Sequence, residues 1–429
     1  MLLKNTDTTD KYFISAFYVI IIFTFILFDY LRSYIFKTEY IYINFVAIFF
    51  TLLLLMNRLY KKQYNEKILY AFIMCAFFAI ISAYSATYSK GNYMLIMGCY
   101  IMPLLLIGMN CNDLTIESIY LRFLKLLNFI VYVILLLGII DYISKGNVQQ
   151  FLINKQYFTG RMIELVYYNL EGGVYRYYSF WGHPLRNAEI FLIYFVINNI
   201  FNKYYYVKEN PIKISIITLI GVTIANSKIG FLLALILIIF LNSNSNNRDK
   251  TKHIYGGIIL LIIVLFMNSG IFNSTIVQRI AGDSDLSSGR NQIVSAIIDG
   301  YVDRPQLLGG GLDYSYYIRN LTGYGATSFE YPPIMFAYDL GVVTTVLMYI
   351  LIAIYPMITF FKHKNYYILF SFIIILLDVT SYNGLTNRGD FMFQYCLIIF
   401  LLLNIDRAVF TNVRYQSIHI SENMDTNVL

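Results

Sequence analysis

Long apolar runs and short polar connectors alternate along almost the whole chain. A hydrocarbon core about 30 Å thick takes roughly 20 helical residues to cross. Runs near that length fall at about 13–29, 41–57, 68–86, 93–109, 123–143, 187–202, 212–226, 229–242, 254–269, 334–360, 366–380 and 391–406. They predict an all-α polytopic membrane protein of about 12 transmembrane helices, with 1–429 as a single integral membrane domain. Two polar stretches are much longer than the other connectors, 144–186 and 270–333.

Connector charge sets the expected orientation. RLYKKQYNEK, KYYYVKENPIK, NSNSNNRDKTKH and FKHKN, which follow the second, sixth, eighth and tenth runs, are all basic. The positive-inside rule puts them in the cytoplasm, with both termini, and puts the two long stretches outside as first and second external loops. Lysine then divides thirteen inside to five outside, whereas arginine divides five inside to nine outside, which accounts for all 32 cations. The external arginine excess runs against the rule and points to a function that needs guanidinium outside.

Composition narrows the classes. A chain 58% hydrophobic and 13% charged is no soluble domain, and a net charge of +7 carried largely by lysines between spans reflects membrane orientation, not nucleic-acid binding. The first run, Phe13 to Phe28, lacks a small-residue cleavage site and is followed by Asp29, Tyr30, Leu31 and Arg32, so a retained helix is expected. Cys75, Cys99 and Cys396 lie in apolar runs and Cys111 just past one, where they read as packing residues.

Local patterns add detail. Ala225-Asn226-Ser227-Lys228 reads as a tight external hairpin, CNDLTIESIYLRFLK as a cytoplasmic interfacial helix capped by Asn112 or Asp113, and Ser288 to Gly300 as an amphipathic surface helix with Ile293, Ile297 and Ile298 on one face.

The candidate chemistry is external. Gly309-Gly310-Gly311 lacks the Lys and Ser or Thr of a phosphate loop. His183 is the single external histidine, so neither zinc nor another metal is expected, and no cofactor. Arg176, in VYRYYSFWGHP, and Arg290, in SSGRNQIV, sit in the two long loops, and their planar forks suit a diphosphate whose charge grows as a phosphate–sugar bond breaks. Glu330 precedes Pro332-Pro333 at a helix entrance and is a candidate general base; a helix cap or ion pair is the structural alternative. Lys228 in the hairpin, His183 and Arg388 are candidate substrate-binding groups, and Arg186, Arg279, Arg304 and Arg319 would make the vestibule positive.

Read in order, RYYSFWGHP, NSKIGF at the hairpin, SSGRNQI, PQLLGGGL and FEYPPIMFAYDLG resemble motifs of the Wzy polysaccharide polymerase and O-antigen ligase superfamily, over about 170–345. The resemblance implies a GT-C-like, metal-independent glycosyltransferase in a bacterial cytoplasmic membrane, acting on its outer or periplasmic side on undecaprenyl-diphosphate-linked oligosaccharides. Membrane lipids, a flippase and a chain-length regulator are the implied partners. Arg176 and Arg290 match the diphosphate-binding arginines, Lys228 stands where many members have Arg, and Glu330 stands where ligases usually have His, which favours a capsule, exopolysaccharide or O-antigen polymerase. The alternatives are a glycan ligase or a lipid-linked oligosaccharide flippase.

Overall fold

The structure, a computed structural model, describes residues 10–36, 42–158, 160–171, 175–205, 209–243, 290–323, 329–386 and 388–425. The apolar run at 254–269, the basic connector before it and the first part of the second long loop, with Arg279, lie outside these residues. Among the described residues every regular element is helical. In chain order they are α1 (Lys11–Phe25), α2 (Asp29–Phe36), α3 (Phe45–Tyr60), α4 (Glu66–Ser85), α5 (Tyr93–Gly108), α6 (Asp113–Ile143), α7 (Asn147–Asn154), α8 (Arg161–Glu171) and α9 (Pro184–Tyr204). They continue as α10 (Pro211–Ile224), α11 (Lys228–Ser243), α12 (Arg290–Ile298), α13 (Tyr314–Leu321), α14 (Pro332–Asp339), α15 (Val342–Lys362), α16 (Tyr366–Thr380) and α17 (Phe391–Asp425).

Four of these helices, α4, α6, α15 and the first part of α17, are long and apolar enough to cross a membrane; the bent α1–α2 pair makes five if it is one span. Helices α3, α5, α10, α11 and α16 are apolar but shorter. Their outer faces carry exposed Phe49, Met56, Phe77, Leu136, Ile239, Val346, Ile358 and Leu377, an apolar surface suited to lipid and too extensive for water. The protein is thus a helical membrane protein.

Local chemistry sets many of the helix ends. Asn44, Asn65, Asn112, Asn210 and Asn365 each use the side-chain oxygen to accept a backbone N–H of the first turn. The expected separate helix after Asn112 does not exist as such: α6 is continuous for 31 residues, about 46 Å at 1.5 Å per residue, because nothing between Asp113 and Ile143 breaks it. Conversely α5 passes from an α turn through a π turn into a 3₁₀ segment at Met102–Gly108, where Pro103 has no N–H to offer.

Two helices form the centre. Every residue of α9 from Arg186 to Phe201 is buried, as is every residue of α17 from Phe391 to Asp406. A helix buried all round is packed by other helices, not by lipid. Its asparagines are then satisfied within the protein: Asn198 bonds Asn128 of α6 and its own helix carbonyl at Tyr194.

The connectors gather at two ends. At one, Asp10 pairs with Arg58 and Lys61, the Asn110 N–H reaches the Gln63 carbonyl, Tyr204 bonds Asn365, and His363 pairs with Asp406. This end carries the described lysine-rich connectors. At the other end lie the described parts of both long loops, the α10–α11 hairpin and the described part of the connector 381–390. Each long loop has a small core of its own. Phe158, Val166 and Tyr178 form one; Ile293, Ile297, Val302, Ile318, Phe329, Met335 and Tyr338 form the other. In α12 the inward face is Ile293, Ala296 and Ile297, while Ile298 is exposed.

The glycine run is a close-packing device. The Gly309 N–H donates to Ser82 Oγ at 2.8 Å, and the N–H groups of Gly310 and Gly311 reach the carbonyls of Tyr338 and Asp339. A Cβ on Gly309 would lie 2.2 Å from the Asp339 carbonyl oxygen and 2.6 Å from the Gly341 nitrogen, both backbone atoms that cannot rotate away. This wedge parts α14 from α15, where hydropathy alone reads a single run over 334–360. Replacing Gly309 with Ala should therefore destabilise the protein by about 2–4 kcal/mol. Thermal unfolding in detergent checks this; a midpoint equal to wild type would contradict it.

Candidate functional site

The site starts at a bend. α1 and α2 meet at 76° although no proline or glycine lies between Phe25 and Asp29. The bend leaves carbonyls at the end of α1 without helical partners, and Arg32 supplies them: its Nη1 donates to Leu27 O at 2.7 Å and Phe23 O at 3.2 Å. The same guanidinium pairs with Asp390 at 2.6 Å, and Asn44 donates to the other Asp390 oxygen at 2.8 Å. Beside it Arg186 pairs with Asp29 at 3.1 Å, donates to Gln394 at 3.3 Å, and lies 3.8 Å from the Phe391 ring centroid and 4.8 Å from that of Trp181. Two buried ion pairs thereby join α1, α2, α3, α9 and α17. Glu189, one turn further along α9, accepts from the Tyr382 hydroxyl.

Above this network opens a cavity of about 740 Å³, within the range of about 300–1,000 Å³ typical of small-molecule sites. Its floor includes Asp29 and Phe391; its walls come from α2, the first long loop, α13 and the connector 381–390. Tyr30, Tyr34, Tyr42, Tyr157 and Tyr316 line it with Gln156, His183, Asn383, Asp313 and Arg388. Burial holds the Tyr157 and Tyr316 phenols above the ordinary tyrosine range, with help from nearby carboxylates, so both remain neutral. Neutral hydroxyls, amides and aromatic faces are what a sugar presents partners for, through its own hydroxyls and its apolar ring faces.

His183 caps α9: its Nδ1 accepts the Leu185 N–H at 3.2 Å, which leaves the proton of a neutral ring on Nε2. The ring stacks parallel to Tyr382 at 6.4 Å. Desolvation, then the positive charges of Arg176 and Arg186, push its pKa down to about 3. A ring that neutral can offer its Nε2–H to a ligand in the cavity and does not collect protons near neutrality.

Of the other expected residues, not all reach this cavity. Arg388 lines it and is paired with Asp313, across from His183. Arg176 is close enough to His183 to depress its basicity, and its segment is tied to the hairpin: Tyr177 N–H bonds the Ile224 carbonyl and Asn226 donates to the Tyr175 carbonyl at 2.8 Å. Lys228 starts α11 directly beyond that contact. Arg290 is the first residue of α12, whose next residue, Asn291, accepts from the Tyr331 hydroxyl at 3.0 Å; Glu330 therefore sits on the segment beside the start of α12. Among the described residues, His183 and Arg388 line the cavity, whereas Arg176, Lys228, Arg290 and Glu330 do not; Arg176 lies near His183, and Arg290 and Glu330 lie near one another in the second loop. Arg186, expected to make the vestibule positive, is instead buried in an ion pair.

Sequence reasoning passed over Asp29, Tyr157 and Asp313. Asp29 and Arg32, three apart in the first connector, carry a weak signal as a charged pair at the end of an apolar run. Asp313 lies two residues past the glycine run, and an acid close to such a run was the available clue.

No known protein family, curated protein or solved structure matches the chain.

Two expectations follow. Replacing Arg32 with Met leaves Asp390 charged and buried, which should destabilise by about 3–5 kcal/mol, and adding Asp390→Asn should recover a large part of that loss. Equal unfolding midpoints for the single and double variants would contradict it. The second concerns His183. Because its folded pKa is depressed from 6.5 to about 3, the stability it contributes is present above 6.5 and is lost as pH falls through that window. Nitrogen-15 NMR of labelled histidines, assigned with His183→Gln, should show one ring unprotonated from about pH 8 to about pH 5. A midpoint inside that range would refute the placement.

Proposed function

We propose that this protein is a polytopic glycosyltransferase of the bacterial cytoplasmic membrane. It would polymerise undecaprenyl-diphosphate-linked oligosaccharide repeat units into capsular, exopolysaccharide or O-antigen chains outside that membrane. The observation that carries the reading is the tyrosine- and amide-lined cavity, walled by both long loops, with Arg388 in its lining and Arg176 near its His183. Its lining suits sugar hydroxyls and ring faces, and the Arg388 fork suits a diphosphate. The motif order over about 170–345 supports the same conclusion, as does the likeness to the Wzy polymerase and O-antigen ligase superfamily.

In this reading the chain crosses the membrane twelve times in a GT-C-like arrangement, with the lysine-rich end in the cytoplasm. Arg176 and Arg290 hold the donor diphosphate and offset the charge that develops on it, with Lys228 adding a cation without a fork. No metal or other cofactor is assigned a role. A glycan ligase would share this chemistry and differ in the acceptor.

A flippase reading draws on the buried charges of α9. Those charges have protein partners: Arg186 is held by Asp29 and Gln394, and Glu189 by Tyr382. Charges held by such fixed partners are poorly placed to pair with a passing headgroup.

Deletion in the native strain, with lipid-linked glycans resolved by size, tests the reading. Single repeat units accumulating outside the membrane are expected; units trapped inside indicate a flippase, and full-length chains left on the carrier indicate a ligase. Complementation with Arg176→Lys or Arg290→Lys, which keep the charge and lose the fork, should cut chain growth by about 10- to 100-fold. Wild-type chain length with both variants would remove the diphosphate clamp.

A further inference from the structure

Among the described residues, the pair Asp313–Arg388 differs from the two buried ion pairs beneath the cavity. Arg32–Asp390 and Arg186–Asp29 are sealed within helix packing, with side chains no more than 8% exposed. Asp313 and Arg388 keep 44% and 34% exposure, and both line the 740 Å³ cavity. They come from different elements, 75 residues apart, so the contact joins the α13 region to the connector before α17.

The backbone at Asp313 is also unusual. It occupies the left-handed region, with φ +68°, at the residue preceding α13, yet its side chain makes no hydrogen bond to the first turn of that helix. An aspartate at such a position ordinarily caps the helix. Here its carboxylate turns to Arg388 instead. The Ser315 N–H of that first turn is served from elsewhere, by Asp339 at 2.7 Å. Removal of the Asp313 carboxylate from its partner would therefore orphan no helix donor, which makes it a group free to exchange partners.

On the strength of the glycosyltransferase reading above, we infer that Asp313 is the catalytic base of the transfer and that Arg388 is its substrate-controlled latch. While Arg388 Nη2 donates to Asp313 Oδ2, the guanidinium takes one of the carboxylate lone pairs that a hydroxyl proton could use. A lipid diphosphate entering the cavity presents a denser anion of matching geometry and draws Arg388 to itself. The freed carboxylate then faces a cavity in which an acceptor sugar hydroxyl is held by tyrosines and amides.

The acceptor oxygen bonds to the anomeric carbon of the donor as its proton passes to a carboxylate oxygen of Asp313. The bond from that carbon to the diphosphate oxygen breaks, and its electron pair leaves with the lipid diphosphate, whose added charge Arg388 helps to offset. Attack opposite the leaving group inverts the anomeric carbon. Coupling the base to the diphosphate in this way keeps the carboxylate engaged until a donor is present. Glu330, which has no place in the cavity lining, is then not required for proton removal.

Two substitutions test the inference without straining the fold. Asn and Gly both accept the left-handed conformation, so Asp313→Asn and Asp313→Gly remove the charge while suiting the backbone. Full-length protein in nanodiscs is supplied with lipid-linked oligosaccharides extracted from the deletion strain, and chain growth is read by gel mobility. Both variants should lose at least about 100-fold in rate, the contribution of a positioned general base. Undecaprenyl diphosphate alone is the binding probe. It should bind more tightly to both Asp313 variants, where Arg388 has no competing carboxylate, and about tenfold more weakly to Arg388→Gln.

A purely structural ion pair would move both readouts in the same direction, with weaker binding and slower growth. That pattern overturns the inference, as does chain growth within about threefold of wild type in either Asp313 variant. Wild-type protein that binds the probe and elongates nothing defeats the polymerase reading and the catalytic step together. The opposed binding shifts of the Asp313 and Arg388 variants decide the exchange of partners separately.

Discussion

The double ion pair beneath the cavity is the constraint on which the loop end of this protein depends. Burying a charge among apolar helices is unfavourable by several kcal/mol unless a partner of opposite sign and further hydrogen bonds accompany it. Here two arginines and two aspartates meet that requirement together, and Arg32 also takes up the carbonyls released where α1 bends into α2. The bend and the ion pair are thus one feature seen twice. Without the bend Arg32 could not reach Asp390, and without Arg32 the bend would leave the Leu27 carbonyl without its donor in an apolar setting, since Phe23 O is also served by Asn44.

That arrangement explains why the cavity can be polar without the bundle opening to water. Its floor is made by residues whose charges are already balanced from below: Asp29 faces the cavity but belongs to Arg186, and Phe391 covers the guanidinium itself. The walls can then vary in loop conformation while the floor stays fixed by five helices. Catalytic and binding groups carried on loops over a rigid scaffold are a common division of labour.

The helical pattern was legible in the sequence because hydrophobic length and asparagine caps are local signals. Asn44, Asn65, Asn112, Asn210 and Asn365 mark helix starts by chemistry confined to a few residues. The two ends were legible too, since lysine-rich connectors announce themselves. The ion pairs were not: Arg186 lies 157 residues from Asp29 and Arg32 lies 358 from Asp390, and no local pattern encodes such partners. The break between α14 and α15 was missed for a related reason. Gly341 is an ordinary residue of an apolar run until the strand of backbone at Gly309 is pressed against it. Likewise the role of the glycine run emerges from contact with α4, 227 residues away along the chain.

The arginines at the loop end therefore divide by burial, not by sequence motif. Arg32 and Arg186 are sealed with fixed partners and act on the fold. Arg388 reaches solvent through the cavity and shares its carboxylate partner with nothing else that the helix needs. The difference matters for any anion that enters. A diphosphate cannot compete for Arg186 without undoing five helices, whereas it can compete for Arg388 by displacing one exposed carboxylate. An exposed ion pair contributes at most about 1 kcal/mol to stability, so the exchange demands little of the ligand. The same sequence excess of arginine thus contains both the fixed frame of the site and its most readily exchanged contact.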